Sequence, residues 1–234
     1  MNLLCIDTSG PSAGVAILKD GHLAYECELT HGRTHSQCIM PMVDQGLSGV
    51  GLTPGDVDLF AAVVGPGSFT GVRIGVSTVK ALAHATGKPC IGVDALEALA
   101  AGIQDFQGIV CPILDARAQQ VYGAAFRAGD PPVRLMDDTV EKLIEYLPRV
   151  RAMGQRALFV GDGSPVFEAA IREYLGEQAS FAPAHLCGLR AGSAVVLAQR
   201  RAGEAVDFLH LMPLYLRAPQ AERERAAREA KRHG

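Results

Sequence analysis

A short apolar run that ends in an acid, turns at once, and is followed by a second apolar run occurs once in each half of this chain. No other feature limits the fold as strongly. In the first half, Asn2-Leu3-Leu4-Cys5-Ile6-Asp7-Thr8-Ser9 leads through Gly10-Pro11-Ser12 into Gly14-Val15-Ala16-Ile17-Leu18. In the second, Gly108-Ile109-Val110-Cys111-Pro112-Ile113-Leu114-Asp115-Ala116-Arg117 leads into Gln120-Val121-Tyr122-Gly123-Ala124-Ala125-Phe126. Each reads as a buried strand with Asp at its end, then a turn and a returning strand. Recurrence of one such unit predicts a duplicated α/β protein of two lobes.

The connecting segments fill in that frame. Asp20-Gly21 marks a tight hairpin into a third strand from His22, making a meander. Thr34 and Gln37 have capping-box spacing ahead of Cys38, Ile39, Met42, Val43 and Leu47, which predicts a helix running toward Gly49 and kinked or shortened by Pro41. Leu59–Val64 reads as a strand, with Thr70 as cap of a helix from Gly71 to Gly87. A strand at Cys90–Val93 and a helix at Ala95–Ala101 follow, and the lobe boundary falls near 102–107. Beyond it the pattern predicts a helix around Val140–Leu147, a strand Ala157–Val160, the turn Gly161-Asp162-Gly163-Ser164, and helices at Pro165–Tyr174 and Ala191–Ala202. The expected division is a first lobe at 1–104, a second at 105–218, and a charged tail rich in Ala, Glu and Arg at 219–234.

Composition narrows the function. The chain has 234 residues, 48% hydrophobic against 20% charged, enough apolar material for two small cores. A formal net charge of -3 argues against gripping a nucleic-acid backbone unaided, since that takes clustered Lys and Arg. The six cysteines are scattered without a CxxC pair, and no apolar run reaches the roughly 20 residues of a membrane span. The expectation is a cytoplasmic protein with no disulfide framework and no metal site. His31 and His35 are four apart, but no third ligand accompanies them. Ser68 lies in no Gly-x-Ser-x-Gly elbow, so a peptidase is not supported.

A strand-terminal Asp repeated in two lobes and joined by a later glycine-rich turn is similar to the layout of the actin, hexokinase and Hsp70 superfamily, the actin-like ATPase (ASKHA, ribonuclease H-like) fold. There the two turns hold nucleotide phosphates and metal. The matching residues here are Asp7, Thr8, Asp115, Gly161 and Gly163. That superfamily wants Gly after each strand Asp, where backbone approaches a phosphate, and this chain has Thr8 and Ala116. The site therefore reads as degenerate, a vestigial nucleotide site. Gly65-Pro66-Gly67-Ser68-Phe69-Thr70-Gly71-Val72-Arg73-Ile74-Gly75 is no Walker A loop, because no Gly-Lys-Ser/Thr follows. Its Gly71 and Gly75 form a small strip that admits a close neighbour. Both early helices carry more apolar positions than one stripe needs, which predicts either a helix interface with another chain or helices covered on two sides.

The run Pro66-Gly67-Ser68-Phe69-Thr70-Gly71-Val72-Arg73-Ile74-Gly75-Val76-Ser77 resembles the signature of the TsaB (YeaZ) family. Ile6-Asp7-Thr8-Ser9, His35-Ser36-Gln37, Gly92-Val93-Asp94-Ala95-Leu96-Glu97 and Pro213-Leu214-Tyr215-Leu216-Arg217 reinforce it. The resemblance implies a non-catalytic scaffold subunit that pairs with the transferase TsaD, with the ATPase TsaE joining, to form threonylcarbamoyladenosine at position 37 of tRNAs reading codons that begin with A. The implied seam uses helices at 35–48 and 71–86, through His35, Ile39, Met42, Val43, Gly71, Val72, Gly75, Val76 and Val79. The same helices would form a homodimer when the protein is alone, and tRNA would be met only within the complex. No cofactor of the chain's own is implied, and the only nucleotide allowed for is ATP or ADP at the complex interface. The competing reading is an independent actin-like ATPase or kinase working through Asp7, Asp115 and the Gly161–Gly163 turn.

Overall fold

The computed structural model describes residues 1–30 and 34–217. The tail at 219–234 and His31 of the two-histidine spacing lie outside these described residues.

The described residues form two five-stranded sheets. In the first, β1 (Leu3–Asp7), β2 (Ala13–Lys19) and β3 (His22–Leu29) make the expected meander, helix α1 (His35–Val50) follows, and β4 (Leu59–Gly65), α2 (Phe69–Thr86), β5 (Cys90–Asp94) and α3 (Ala95–Ala101) complete the unit. The second repeats it with β6 (Ile109–Asp115), β7 (Gln120–Arg127), β8 (Val133–Lys142), α4 (Leu143–Ala152), β9 (Ala157–Val160), α5 (Gly163–Leu175) and β10 (Ala179–Phe181). Two further helices close the chain, α6 (Ala184–Cys187) and α7 (Ala191–Arg200).

Sheet order is β3-β2-β1-β4-β5 in the first sheet and β8-β7-β6-β9-β10 in the second, so each lobe reads 3-2-1-4-5 in its own count. In both, strands two and three are antiparallel while one, four and five are parallel. The parallel strands need helical crossovers, and α1, α2, α4 and α5 supply them. At the first hairpin Asp20 (φ 53°) and Gly21 (φ 82°) both sit left-handed, matching a two-residue turn that follows strand twist.

Three apolar clusters stack the layers. One lies between the first sheet and α1 with α2, around Ile6, Phe60, Ile39 and Val76. Another joins the second sheet to α4 and α5, around Phe159, Tyr146 and Ile171. The third fills the space between the two sheets with α3 and α7 and draws side chains from both lobes, among them Leu3, Val63, Leu96, Val110, Phe126 and Val195. Continuous burial along β1 and β6 reflects their central place, covered on both faces.

Several expectations need correction. Residues 140–142 remain in β8, pairing with Tyr122, Val121 and Gln120, so the predicted helix at 140–147 begins at Leu143 and runs to Ala152. Strand β8 escaped the period-two reading because it is an edge strand whose fully buried apolar positions reduce to Met136. The second helix starts at Phe69, capped by Ser68 and not by Thr70: Ser68 Oγ accepts from Gly71 N at 3.2 Å. Helix α1 continues through Pro41, which with Gln37 lies on the exposed face, where water reaches the carbonyl that Pro41 cannot bond. Sequence order puts α7 and residues 202–215 in the second lobe, yet they pack on the first lobe. Helix α7 lies against β1, β2, β3 and β5, Val206 bridges Cys90, and Leu211 is buried under α2.

Candidate functional site

The duplicated turns meet at the cleft between the lobes, a cavity of about 760 Å³ lined by Ser9, Gly67, Ser68, Asp115, Arg117 and Asp162 among others. The turn that follows β1, at Ser9 and Gly10, and the end of β6, at Leu114 and Asp115, face each other across it.

On the first side the chain closes upon itself. Asp7 is buried, and its Oδ1 accepts from Ser9 N at 2.8 Å and Ser9 Oγ at 2.7 Å. Burial pushes the Asp7 carboxyl above the ordinary carboxylate range, with the two Ser9 bonds and the nearby His35 pulling the other way. Thr8 turns away from the cleft and donates from Oγ1 to Gly71 O at 2.7 Å. A Cβ on Gly71 would stand 2.0 Å from Thr8 O, one on Gly75 2.6 Å from Thr8 Oγ1, and one on Gly67 2.4 Å from Ser9 O. Three glycines of the signature thus seat α2 and its entry turn on residues 8 and 9. The small strip read from Gly71 and Gly75 exists, but it admits the chain's own Thr8.

The second side is built differently. Asp115 is exposed, and its Oδ1 accepts from Arg117 N at 2.8 Å. Arg117 (φ 63°), Ala118 (φ 51°) and Gln119 (φ 58°) are consecutive left-handed residues, a conformation that costs residues with a Cβ about 1–2 kcal/mol each. Gly161 (φ 102°) and Gly163 press the start of α5 onto β6, where added Cβ atoms would meet Ile113 O at 2.2 and 3.1 Å. Asp162 Oδ1 accepts from Asp115 N at 3.0 Å. Its carboxyl is raised by burial, with the Asp115 charge adding to the effect.

A strap the sequence reading did not anticipate ties the two sides. Leu214 N donates to Val64 O at 2.7 Å in the first lobe. The Tyr215 ring stacks on Phe69 at 4.8 Å and its hydroxyl accepts from Arg73 Nε at 2.9 Å. Arg217 then reaches the second lobe, donating to Gln120 Oε1 at 2.6 Å and Ala116 O at 2.9 Å. Pro213–Arg217 was visible as a motif, but nothing in its residues announces that it crosses the cleft.

The residues expected at a partner seam need a further correction. Ile39, Met42, Val43, Val72, Val76 and Val79 are buried against the first sheet, because the apolar stripes of α1 and α2 are spent on β2 and β4. Gly71 and Gly75 face Thr8, and His35 donates from Nε2 to Gly10 O at 3.0 Å. What the two helices leave outward is a different strip: Met40, Pro41, Asp44, Gln45 and Ser48 on α1, and Arg73, Ser77, Ala81, His84 and Ala85 on α2.

Two lobes of order 3-2-1-4-5 around a cleft at the strand-end turns define an actin-like, ribonuclease H-like α/β protein. Residues 29–225 match the family described as TsaD, tRNA N6-adenosine threonylcarbamoyltransferase. The tRNA threonylcarbamoyladenosine biosynthesis protein TsaB of Bacillus subtilis strain 168 is 32% identical over 95% of this chain and 96% of its own length. TsaB of Escherichia coli K12 is 39% identical over 54% of this chain and 55% of its own. A solved structure from Pseudomonas aeruginosa, described as an uncharacterized protein with similarity to peptidase YEAZ, superposes with a TM-score of 0.75 at 28% identity, covering 92% of this chain and 99% of that one. The chain belongs to the TsaB/YeaZ family.

Proposed function

We propose that the chain acts in tRNA threonylcarbamoyladenosine biosynthesis as a non-catalytic scaffold that binds and activates TsaD, with TsaE and tRNA joining only in the assembled complex. The observation that carries this reading is the closed first turn. In the actin-like layout the strand-end Asp and the residue after it approach phosphate and metal, whereas here Asp7 is bonded to Ser9 and Thr8 is locked to Gly71 O. A subunit so built keeps the frame of its catalytic relative without the approach to phosphate. The outer strip of α1 and α2, rich in small and uncharged side chains, is the surface proposed for TsaD, and for a second copy when the protein is alone. Among the described residues no helix is long and apolar enough to cross a membrane, consistent with work on tRNA in the cytoplasm.

Copurification with TsaD, together with loss of the modification when the gene is removed, tests the proposal. No complex and unchanged modification would sink it. The competing ATPase or kinase draws on the 760 Å³ cleft. It requires ATP turnover by the isolated protein that Asp7→Asn abolishes. For a peptidase, Ser68 is already engaged as the cap of α2 and His35 on Gly10 O.

A further inference from the structure

The seam between the lobes holds a group of charges that neither the strand-end turns nor the outer helix strip accounts for. Asp94 ends β5 and caps α3, its Oδ1 accepting from Glu97 N at 2.7 Å. From the other sheet, Arg134 on β8 brings Nη2 to 3.5 Å from that oxygen and pairs through Nη1 with Asp138 on the same strand. Glu97 pairs with Arg201, which follows α7. The Arg134 guanidinium lies 4.6 Å over the ring of Phe126 on β7. Strand β4, bonded to β5 along this edge, has no ionisable side chain.

Three carboxylates therefore face two guanidiniums, and the acids are well shielded: the Asp94, Asp138 and Glu97 side chains are 14%, 12% and 12% exposed. An uncompensated negative charge at such a place is costly, and the chain's cheapest answer is to bind a proton. Asp94 and Asp138 meet on the same guanidinium, at Nη2 and Nη1 of Arg134, so two carboxylates crowd one cation. Burial first, then the bond to Asp138 and its charge, raise the Asp94 carboxyl to about 8, against the pull of Glu97 N and Arg134.

We propose that the inter-lobe seam, where Asp94, Asp138 and Glu97 crowd Arg134 and Arg201, holds one bound proton, and that losing it loosens β8 of the second lobe from the β5–α3 edge of the first. The two lobes are then joined by a titratable contact in addition to the apolar layer of α3 and α7.

The sign follows from linkage. The folded chain keeps a proton that the unfolded chain releases above about pH 4, so this pair lowers the folded-to-unfolded ratio about tenfold per pH unit until the seam itself ionises near pH 8, and not beyond. Denaturant unfolding of the whole chain at pH 6, 7, 8 and 9 should show the wild type losing up to about fiftyfold more of that ratio than Asp94→Asn between pH 6 and 8. Amide exchange at pH 9, corrected for intrinsic rates, should be faster in the peptides of β5, α3 and β8 of the wild type than in the variant. Equal pH dependence in the two proteins, or equal exchange, overturns the proposal. If Asp94→Asn, whose amide oxygen still caps α3, does not fold, Asp138→Asn, which removes the neighbouring charge but not the burial, should show a smaller difference of the same sign. Because an amide mimics a protonated acid, failure of both variants to fold also counts against the bound proton.

Discussion

The ends of β1 and β6 occupy equivalent places in two copies of one topology, yet one is closed and the other open. Asp7 is buried and saturated by Ser9, and Thr8 is driven into the glycine-lined face of α2. Asp115 is exposed, and after Ala116 come three left-handed residues, of which Arg117 lines the cleft. Duplication thus preserved the sheets, where hydrogen bonding and burial leave little choice, and released the turns, whose chemistry was free to diverge. The first turn became part of the core packing. The second remained at the surface and is held by Arg217 of the strap.

The largest test of this contrast is Gly71→Ala. The new Cβ would lie 2.0 Å from a backbone oxygen, so β1 and α2 must separate, at a cost on the order of 3 kcal/mol. Gly75→Leu strikes Thr8 in the same way, so it reports on folding of this lobe before it reports on any partner. Denaturant melts read the effect. If Gly71→Ala is as stable as wild type, Thr8 does not lock the turn.

Much of this frame was legible in the sequence, for reasons that differ by element. Strands β1, β2, β4, β6 and β9 announce themselves because buried strands are continuous apolar runs between turn residues. Asp20-Gly21 and the Thr34–Gln37 spacing fix local geometry through chemistry that needs no tertiary context. Strand β8 did not show because half of it faces water, and β10 is only Ala179–Phe181. The strand-end aspartates were found, but not their opposite fates: whether Thr8 faces a cleft or a helix depends on Gly71 and Gly75, far away in the chain. The apolar excess on α1 and α2 was real, yet its orientation, toward the chain's own sheet, is a property of packing that periodicity cannot supply.

Next in size is the matched pair Asp7→Ala and Asp115→Ala. Removing the buried acceptor strands Ser9 N and Oγ, costing about 1–3 kcal/mol, whereas the exposed Asp115 should stay within about 0.5 kcal/mol of wild type. Asp7→Asn separates hydrogen bonding from charge. Burial raises the Asp7 carboxyl, so the folded protein binds its proton more tightly than the unfolded chain, and this group's contribution falls as pH rises above about 4. The amide keeps an acceptor for Ser9 and does not titrate. Its advantage over wild type in thermal melts should therefore be absent near pH 4 and grow toward neutrality. A variant weakened at pH 7 would mean that the buried carboxylate is wanted as a charge, which is what a nucleotide site would require.

The smallest effect is expected at the open turn. Ala118 sits at φ 51°, where its Cβ crowds the following carbonyl, and Gly removes that strain while making the unfolded chain more flexible. The two terms nearly cancel, leaving a gain of about 0.5 kcal/mol for Ala118→Gly. A gain means that the turn is strained and that its left-handed run is held in place by its neighbours, Arg217 among them. Substituting Arg217 by Ala in the same background should then shrink the benefit of the glycine, since the turn can relax its strain once the strap no longer holds Ala116 O and Gln120 in position. Strict additivity of the two changes would instead mean that β6 and β7 hold the turn by themselves and that the strap only crosses the cleft.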